Sequence, residues 1–415
     1  MTSSIDRRKF LGGAGPTLLG GFLPWTSHAE ANTPQLVGYL RTNWSRDPYA
    51  LGSYSHISTH ARRSDHAALA APVNDRLYFA GEAANPKRNS SVHAALETGY
   101  SVAAKILDGK HRRIGIIGAG IAGLAAAHKL TSAGYSVTIF EGRDRIGGRI
   151  HTDLSAGYAA DLGASWLHGT KGNPVTPMVD QLGMQSVVYS EDFVTRSGGR
   201  KLQKSEWPDW MEDIPLVYNH AGTSLESLNF WAYAFRTLLG RDYTGDELLF
   251  PNGYSEIFAA FAAPYKLRLN DAVTAIDHAT STVKVVSQSG EYGFDAVVVT
   301  VPLGVLKAGH ILFTPSLPER KQTAIDRLGF GVLDKIFLQF EDVFWDEKTH
   351  NIITPHTAFE PGYFNAFVNM YATANVPVLL CFNGGPAALD LADKDDRTVV
   401  GWALETIYRA YGLGG

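Results

Sequence analysis

The chain has 415 residues, of which 45% are hydrophobic and 42 are glycine, and its formal net charge is -4 at pH 7. This length is enough for two or three domains, and the small net charge gives no reason to expect nucleic acid or an anionic membrane as a partner. The single cysteine, Cys381, excludes an intramolecular disulfide framework and a cysteine-rich metal site.

The first 31 residues are predicted to be an export signal. Residues 6–11 (DRRKFL) are similar to a twin-arginine signal, and Ala29-Glu30-Ala31 is a suitable A-x-A cleavage site. The apolar stretch between them, 11–23, is too short and glycine-rich to span a bilayer. We therefore expect the twin-arginine export machinery as a partner, no stable membrane anchor, and a bacterial periplasmic or secreted protein that begins near Asn32. A disordered basic leader is the alternative.

A buried strand and a helix are predicted before residue 108. Residues 77–83 (LYFAGEA) predict a strand that ends in a turn at Gly81 and Glu82. Ser90 or Ser91 can cap the helix that follows. The helix has one apolar stripe, which consists of Val92, Leu96, Gly99, Ala103 and Ile106.

A glycine-rich turn between two predicted strands organises the chain. Residues 114–117 (IGII) predict a buried strand, residues 118–123 (GAGIAG) follow, and an Ala/Leu-rich helix continues to about Ala133. A second strand, 136–140 (SVTIF), ends at Glu141. Such glycines permit a tight turn against a pyrophosphate at the helix N-terminus, and the acid can accept hydrogen bonds from a ribose hydroxyl. A glycine-rich turn without a ligand would not explain why all these features fall in register.

The residues after the acid indicate which dinucleotide is bound. Residues 141–149 continue as E-x-R-x-R-x-G-G-R, and residues 161–169 are DLGASWLHG. With these motifs the sequence resembles the FAD-dependent amine oxidases, particularly their polyamine oxidase branch. Other segments that resemble this family are 44–49 (WSRDPY), 52–55 (GSYS), 172–174 (GNP), 251–254 (PNGY) and 300–306 (TVPLGVL). The resemblance covers most of residues 35–345 in pieces.

The resemblance implies an α/β protein with a Rossmann-like FAD-binding domain and an α+β substrate domain built on a mixed sheet. The FAD-binding domain is expected to be discontinuous, at 110–172 and 251–306, and the substrate domain to comprise 173–250 and 307–415. Residues 32–109 resemble the carboxyl-terminal, flavin-proximal portion of the family, yet they come first. The chain is therefore predicted to be circularly permuted, and a rearranged gene whose product folds poorly is the alternative.

The implied cofactor is FAD, without a covalent link, because Ser53 stands where monoamine oxidases carry the attaching cysteine. Val273 is expected to contact adenine through its backbone. Trp44 is expected beside the isoalloxazine, although a buried core tryptophan is an equal alternative. The full set of expected cofactor-binding residues is Gly118, Gly120, Ile121, Ala122, Gly123, Glu141, Gly142, Arg143, Gly148, Arg149, Gly163, Ala164, Ser165, Trp166, Val273, Trp44, Gly81, Glu82, Ser91 and Val92.

The resemblance implies catalytic roles for Lys335, Tyr54 and His168. Lys335 matches a lysine that holds a water near the flavin and assists oxygen activation, whereas an edge-strand lysine facing water is the alternative. Tyr54 is expected to flank the substrate amine and His168 to line the active site, unless that histidine is only structural. Ser91 replaces the second tyrosine of monoamine oxidases, which disfavours an aryl monoamine. His56 and His60 are four residues apart, but a metal site is not predicted.

The implied reaction is oxidation of an amine C–N bond. A hydride passes to the flavin, the imine hydrolyses, and molecular oxygen is reduced to hydrogen peroxide. The alternatives are an amino acid oxidase, which needs an arginine for the substrate carboxylate, a monoamine oxidase, and a non-catalytic flavin-fold binding protein. A carotenoid-type desaturase is disfavoured by Lys335 and the GSYS segment.

Overall fold

The computed structural model describes residues 33–209, 222–224, 227–228, 243–355, 357–359 and 362–413. The expected signal at 1–31 lies outside these ranges, as does most of 210–242. Within the described ranges, none of the helices has the length and apolar character that a membrane crossing requires.

The strands, numbered in chain order, are β1 (Leu36–Arg41), β2 (Tyr54–His56), β3 (Leu77–Phe79), β4 (Arg113–Ile117), β5 (Ser136–Phe140), β6 (Thr152–Asp153), β7 (Ala160–Asp161), β8 (Val187–Tyr189), β9 (Phe193–Ser197), β10 (Arg200–Lys201) and β11 (Glu247–Leu249). They continue as β12 (Lys266–Arg268), β13 (Val273–Asp277), β14 (Val283–Ser287), β15 (Gly290–Phe294), β16 (Ala296–Val299), β17 (Leu312–Thr314), β18 (Gly329–Gly331), β19 (Leu333–Phe340), β20 (Asn351–Ile353), β21 (Ala366–Asn369) and β22 (Val378–Gly384).

The helices are α1 (Arg63–Ala70), α2 (Val92–Leu107), α3 (Ile121–Ser132), α4 (Thr176–Leu182), α5 (Leu303–Lys307), α6 (Glu319–Arg327), α7 (Met370–Ala374), α8 (Pro386–Leu391) and α9 (Asp396–Ala410). Short 3-10 helices lie at Glu82–Ala84, Lys204–Glu206 and Tyr254–Phe261.

A parallel sheet of five described strands has the order β12-β5-β4-β16-β3. Its central strands are apolar, and Ile114 and Ile116 of β4 are fully buried, as strands covered on both faces require. Helices α2 and α3 pack closely, because a Cβ on Gly99 of α2 would stand 2.3 Å from the carbonyl oxygen of Ala122 in α3. The early strand β3 thus shares a sheet with β4 and β5, which lie later in the chain.

A larger sheet has the order β1-β19-β22-β21-β20-β9-β10 and is mixed, because β20 and β9 are parallel while the other described pairs are antiparallel. Helix α9 covers one face, burying Val399, Ala403 and Ile407 against the strands. Strand β19 lies between β1 and β22, so both of its edges are hydrogen-bonded.

A smaller sheet has the order β15-β14-β13-β17, and Val273 is the first residue of its strand β13. Strand β2 pairs with β18, which places Tyr54 opposite Gly331. The expected α/β class, with several sheets, is therefore confirmed. The Rossmann-like assignment, the domain boundaries and the permuted chain order remain predictions.

Candidate active site

The glycine-rich turn leaves open space before the N-terminus of α3. Gly118 has φ 107°, and a Cβ there would stand 2.6 Å from Thr300 Oγ1. A Cβ on Gly123 would stand 2.1 Å from the carbonyl oxygen of Gly118. At Gly120, by contrast, the nearest atom to a Cβ would be the Gly147 carbonyl oxygen at 4.0 Å. Two glycines are therefore fixed by packing, and the third faces a cradle that fits a pyrophosphate on the free N–H groups of α3. Ile121 and Ala122 begin that helix.

Glu141 ends β5 beside this turn and is 6% exposed. Its Oε2 accepts a hydrogen bond from the Ala119 N–H at 2.8 Å, and its Oε1 accepts one from the Arg143 N–H at 2.9 Å. Burial raises the pKa of Glu141, and the two backbone bonds oppose that rise. The carboxylate is thereby oriented at the mouth of the turn, which fits the expected ribose contact.

Arg143 and Gly142 contact the early segment of the chain. The Arg143 guanidinium donates two hydrogen bonds to Asp47, both at 2.7 Å. A Cβ on Gly142 would stand 2.4 Å from Tyr49 Cε1, so this glycine lies directly under the tyrosine ring. Arg143 is therefore neutralised by Asp47, which leaves less of its charge for a cofactor phosphate.

Arg145 is a candidate that was not singled out from the sequence. Its Nη1 donates to the carbonyl oxygens of Ile146 at 3.2 Å and Gly148 at 3.1 Å. Burial, together with the charge of Arg143, lowers the pKa of Arg145 to about 10. This cation lies beside the turn where Gly120 and Gly147 form a β-bridge, so it can attract a phosphate. The second arginine of E-x-R-x-R was the available signal.

Glu82 is the centre of a buried hydrogen-bond cluster and is 4% exposed. Its Oε1 accepts from Arg149 Nη1 at 2.9 Å, and its Oε2 accepts from Ser55 Oγ at 2.5 Å and from the Ser90 N–H at 2.9 Å. Arg149 Nη1 also donates to the Ser53 carbonyl oxygen at 2.8 Å. Burial opposes ionisation, yet the Arg149 charge and these hydrogen bonds hold the pKa of Glu82 below its usual value.

The N-terminus of α2 lies next to this cluster. Ser91 caps the helix, because its Oγ accepts from the Ala94 N–H at 3.3 Å. Val92 begins the helix and packs partly buried on the core. About two turns into the helix, Thr98 Oγ1 accepts a hydrogen bond from the N–H of Gly81, which has φ 125°. Of the two predicted caps, Ser90 and Ser91, the structure has Ser91, and the first half of the helix is hydrogen-bonded to the Gly81 turn.

Lys335 is almost fully buried in β19, with 4% exposure. Its Nζ donates to the carbonyl oxygens of Asp161 at 2.7 Å and Gly163 at 2.6 Å, and to Ser165 Oγ at 2.6 Å. The ring of Trp166 lies 5.6 Å from Nζ. Burial lowers the pKa of Lys335, and the nearby Asp161 charge opposes that shift. The alternative of an edge-strand lysine facing water is therefore wrong.

The segment around residues 161–165 joins Arg149 to Lys335 and Trp44. The Ala164 N–H donates to the Arg149 carbonyl oxygen at 3.0 Å, and a Cβ on Gly163 would stand 1.9 Å from the same oxygen. Trp44 Nε1 donates to the Leu162 carbonyl oxygen at 3.2 Å. The early segment of the chain and β19 thus meet on one short loop.

The remaining candidates differ in their surroundings. His168 has a 58% exposed side chain, and its Nδ1 lies 2.6 Å from Glu247 Oε2. Val273 is 8% exposed and packs in the core beneath the parallel sheet. Tyr54 lies in β2 and is paired with Gly331 of β18, which stands four residues before Lys335 in the chain. Across the described ranges, the structure contains no group of three His, Cys, Asp or Glu arranged to hold a metal ion.

A family model described as "Flavin containing amine oxidoreductase" matches residues 17–107, 121–238 and 232–414. Polyamine oxidase 2 of Arabidopsis thaliana is 32% identical over 352 residues, covering 71% of this chain and 71% of that protein. Polyamine oxidase 4 of Oryza sativa subsp. japonica is 33% identical, covering 69% of this chain and 70% of that protein. Lysine-specific histone demethylase 2 of Homo sapiens is 30% identical, covering 72% of this chain and 44% of that protein.

The glycine-rich cradle, the buried lysine and these similarities point to one class of protein. The chain belongs to the flavin containing amine oxidoreductase family. It is a FAD-dependent oxidoreductase that acts on amines, and the expectation drawn from its motifs is confirmed.

Proposed function

We propose that the protein oxidises a polyamine or a related amine to an imine, using non-covalently bound FAD and releasing hydrogen peroxide. The observation that carries the proposal is Lys335, a buried cation that is held by three oxygens of the 161–165 loop. The chemistry that bound FAD would supply is the two-electron oxidation of the amine C–N bond, with molecular oxygen as the final electron acceptor.

The protein's own residues would bind and orient the reactants. The open face of Gly120 and the N-terminus of α3 would hold the pyrophosphate, with Arg145 supplying positive charge. Glu141 would hold the ribose, and Tyr54 would orient the amine. Lys335 would stabilise negative charge that develops on oxygen, because a preorganised cation in a buried site acts strongly.

Two features support a polyamine rather than an aryl monoamine. The first is similarity to proteins named polyamine oxidases in two plants. The second is Ser91, a small residue that caps α2 at the position where monoamine oxidases carry a second aromatic wall. Non-covalent attachment is supported by Ser53, whose Oγ donates to the Leu333 carbonyl oxygen at 3.0 Å.

A peroxide-coupled assay with polyamines, aryl monoamines and amino acids tests the substrate class. We expect peroxide from polyamines, with values of kcat/KM at least tenfold above those for the other two classes. Peroxide from amino acids alone would favour the amino acid oxidase, and no turnover by a protein that binds FAD would favour the binding protein.

We further propose that the chain order is permuted relative to the family and that the protein is exported in folded form by the twin-arginine machinery. The permutation is supported by Tyr408 Oη, which donates to the Pro34 carbonyl oxygen at 2.6 Å and brings late and early residues together. It is also supported by the Glu82–Arg149 ion pair between the reordered segments. Export predicts that a variant with lysine at Arg7 and Arg8 accumulates in the cytoplasm, whereas unchanged export would contradict it.

A further inference from the structure

Asp334 is a buried carboxyl group that none of the roles above uses. It precedes Lys335 in β19 and is 7% exposed. Because side chains alternate along a strand, Asp334 and Lys335 point to opposite faces of the sheet. Lys335 contacts the 161–165 loop, whereas Asp334 contacts the chain that continues from β1. Its contacts therefore involve a different part of the active site.

The carboxyl group of Asp334 accepts hydrogen bonds from two donors in the segment 42–44. Its Oδ1 accepts from the Trp44 N–H at 2.8 Å and from Thr42 Oγ1 at 2.9 Å. Thr42 Oγ1 in turn accepts from the Lys335 N–H at 2.8 Å, and the Thr42 N–H donates to the Lys335 carbonyl oxygen at 2.9 Å. The backbones of Trp44 and Lys335 are thus connected through one carboxylate and one hydroxyl.

The side chains of the same two residues converge on the 161–165 loop. Trp44 Nε1 donates to the Leu162 carbonyl oxygen at 3.2 Å, and Lys335 Nζ donates to the carbonyl oxygens on either side, those of Asp161 and Gly163. A Cβ on Gly163 would stand 3.5 Å from Cζ2 of Trp44. Asp334, Trp44, the 161–165 loop and Lys335 are therefore connected in a closed ring of hydrogen bonds. A shift of Trp44 would move the loop that contacts the Lys335 ammonium.

We propose that Asp334 is a positioning residue, which fixes Trp44 against β19 and thereby holds the 161–165 loop in place around the Lys335 ammonium. The inference rests on the proposed role of Lys335. Asp334 touches neither substrate nor cofactor in this account and acts through the two residues that it joins. Buried acceptors of this kind are costly to remove, because each donor left behind loses its hydrogen bond.

The test compares Asp334→Ala with Asp334→Asn, whose amide oxygen can still accept both hydrogen bonds. In the ligand-free protein, we expect amide hydrogen exchange in the 161–165 loop to be at least about tenfold faster in Asp334→Ala than in the wild type. Asp334→Asn should stay within about threefold. Asp346→Ala, which removes a partly buried carboxylate that pairs with Arg196 of β9 in the same sheet, should leave exchange in this loop unchanged.

The loaded enzyme supplies the second readout. Reoxidation of reduced flavin by oxygen should slow about tenfold in Asp334→Ala, and this effect should vanish in the Lys335→Met background, because both changes act through the same lysine. Unchanged exchange in the loop, or equal effects of alanine and asparagine, would overturn the proposal. A Lys335→Met variant that reoxidises normally would instead refute the proposed role of Lys335, whatever the exchange data show for Asp334.

Discussion

Arg149 Nη1 lies 2.9 Å from Glu82 Oε1, and this ion pair joins residues that are 67 positions apart in the chain. The pair connects the Gly81–Glu82 turn, which follows β3, to the G-G-R motif, which follows β5. Arg149 also contacts the 161–165 loop, because its carbonyl oxygen accepts a hydrogen bond from the Ala164 N–H. One ion pair therefore links the early segment, the dinucleotide motif and the loop that contacts Lys335.

Arg149→Ala should destabilise the protein by about 2 kcal/mol, below the roughly 3–5 kcal/mol typical of fully buried pairs, because the Arg149 side chain is 22% exposed. Because the pKa of Glu82 is held below its usual value, this stability is present above about pH 4 and is lost as the pH falls through the folded value. Urea unfolding measures the change. The exposed Arg200→Ala provides the control, and equal midpoints for the two variants would contradict the structural role.

FAD should be released when the protein is precipitated with acid. Ser53 has no thiol, and its Oγ also accepts from the Leu333 N–H at 2.8 Å. Cys381 is fully buried in β22, where burial raises the pKa of its thiol, so it is a poor nucleophile. The measurement is flavin absorbance in the supernatant and pellet. Colour that stays with the precipitated protein would show a covalent bond and contradict the proposal.

Flavin reoxidation should slow as the pH rises through about 8. Burial lowers the pKa of Lys335 to about 8, while the charge of Asp161 opposes the shift, so the ammonium is charged below that pH and neutral above it. Only the charged form can stabilise negative charge on oxygen. Stopped-flow reoxidation between pH 6 and 10 measures the profile. If reoxidation by Lys335→Met slowed over the same pH range, the ionisation would belong to another group.

A reordered chain should fold and bind FAD. The expected variant runs from 113 to 413, continues through a short flexible linker and ends with 33–107, which restores the order of the family. Tyr408 and Pro34 are hydrogen-bonded, so a short linker can connect these ends. Circular dichroism and FAD titration compare the two chains. Failure of the reordered chain to fold, with the parent chain folding normally, would count against the permutation.

Local sequence patterns predicted the parts of the fold that depend on local physics. The strand and helix around Gly118 and the Ser91 cap follow from glycine spacing and capping preference, and they were predicted to within a few residues. Contacts between distant segments had no such signal. The bidentate ion pair between Arg143 and Asp47 depends on a tertiary arrangement that no local pattern encodes.

Burial was equally difficult to predict for single charged residues. A lysine between apolar strand residues is compatible with an exposed edge strand, and only the pairing of β19 with both β1 and β22 shows that Lys335 is interior. For the same reason Asp334 gave no signal, because its two donors come from residues about 290 positions away.

The central claim is that Lys335 serves the oxygen half-reaction. Stopped-flow measurements of Lys335→Met should show anaerobic reduction by a polyamine within about threefold of the wild type and reoxidation by oxygen slowed by about 100-fold, the size expected when one preorganised charge is removed. Lys284→Met, which changes an exposed strand lysine, is the matched control and should alter neither step. Equal slowing of reduction and reoxidation in Lys335→Met, or no slowing of reoxidation, would contradict this account.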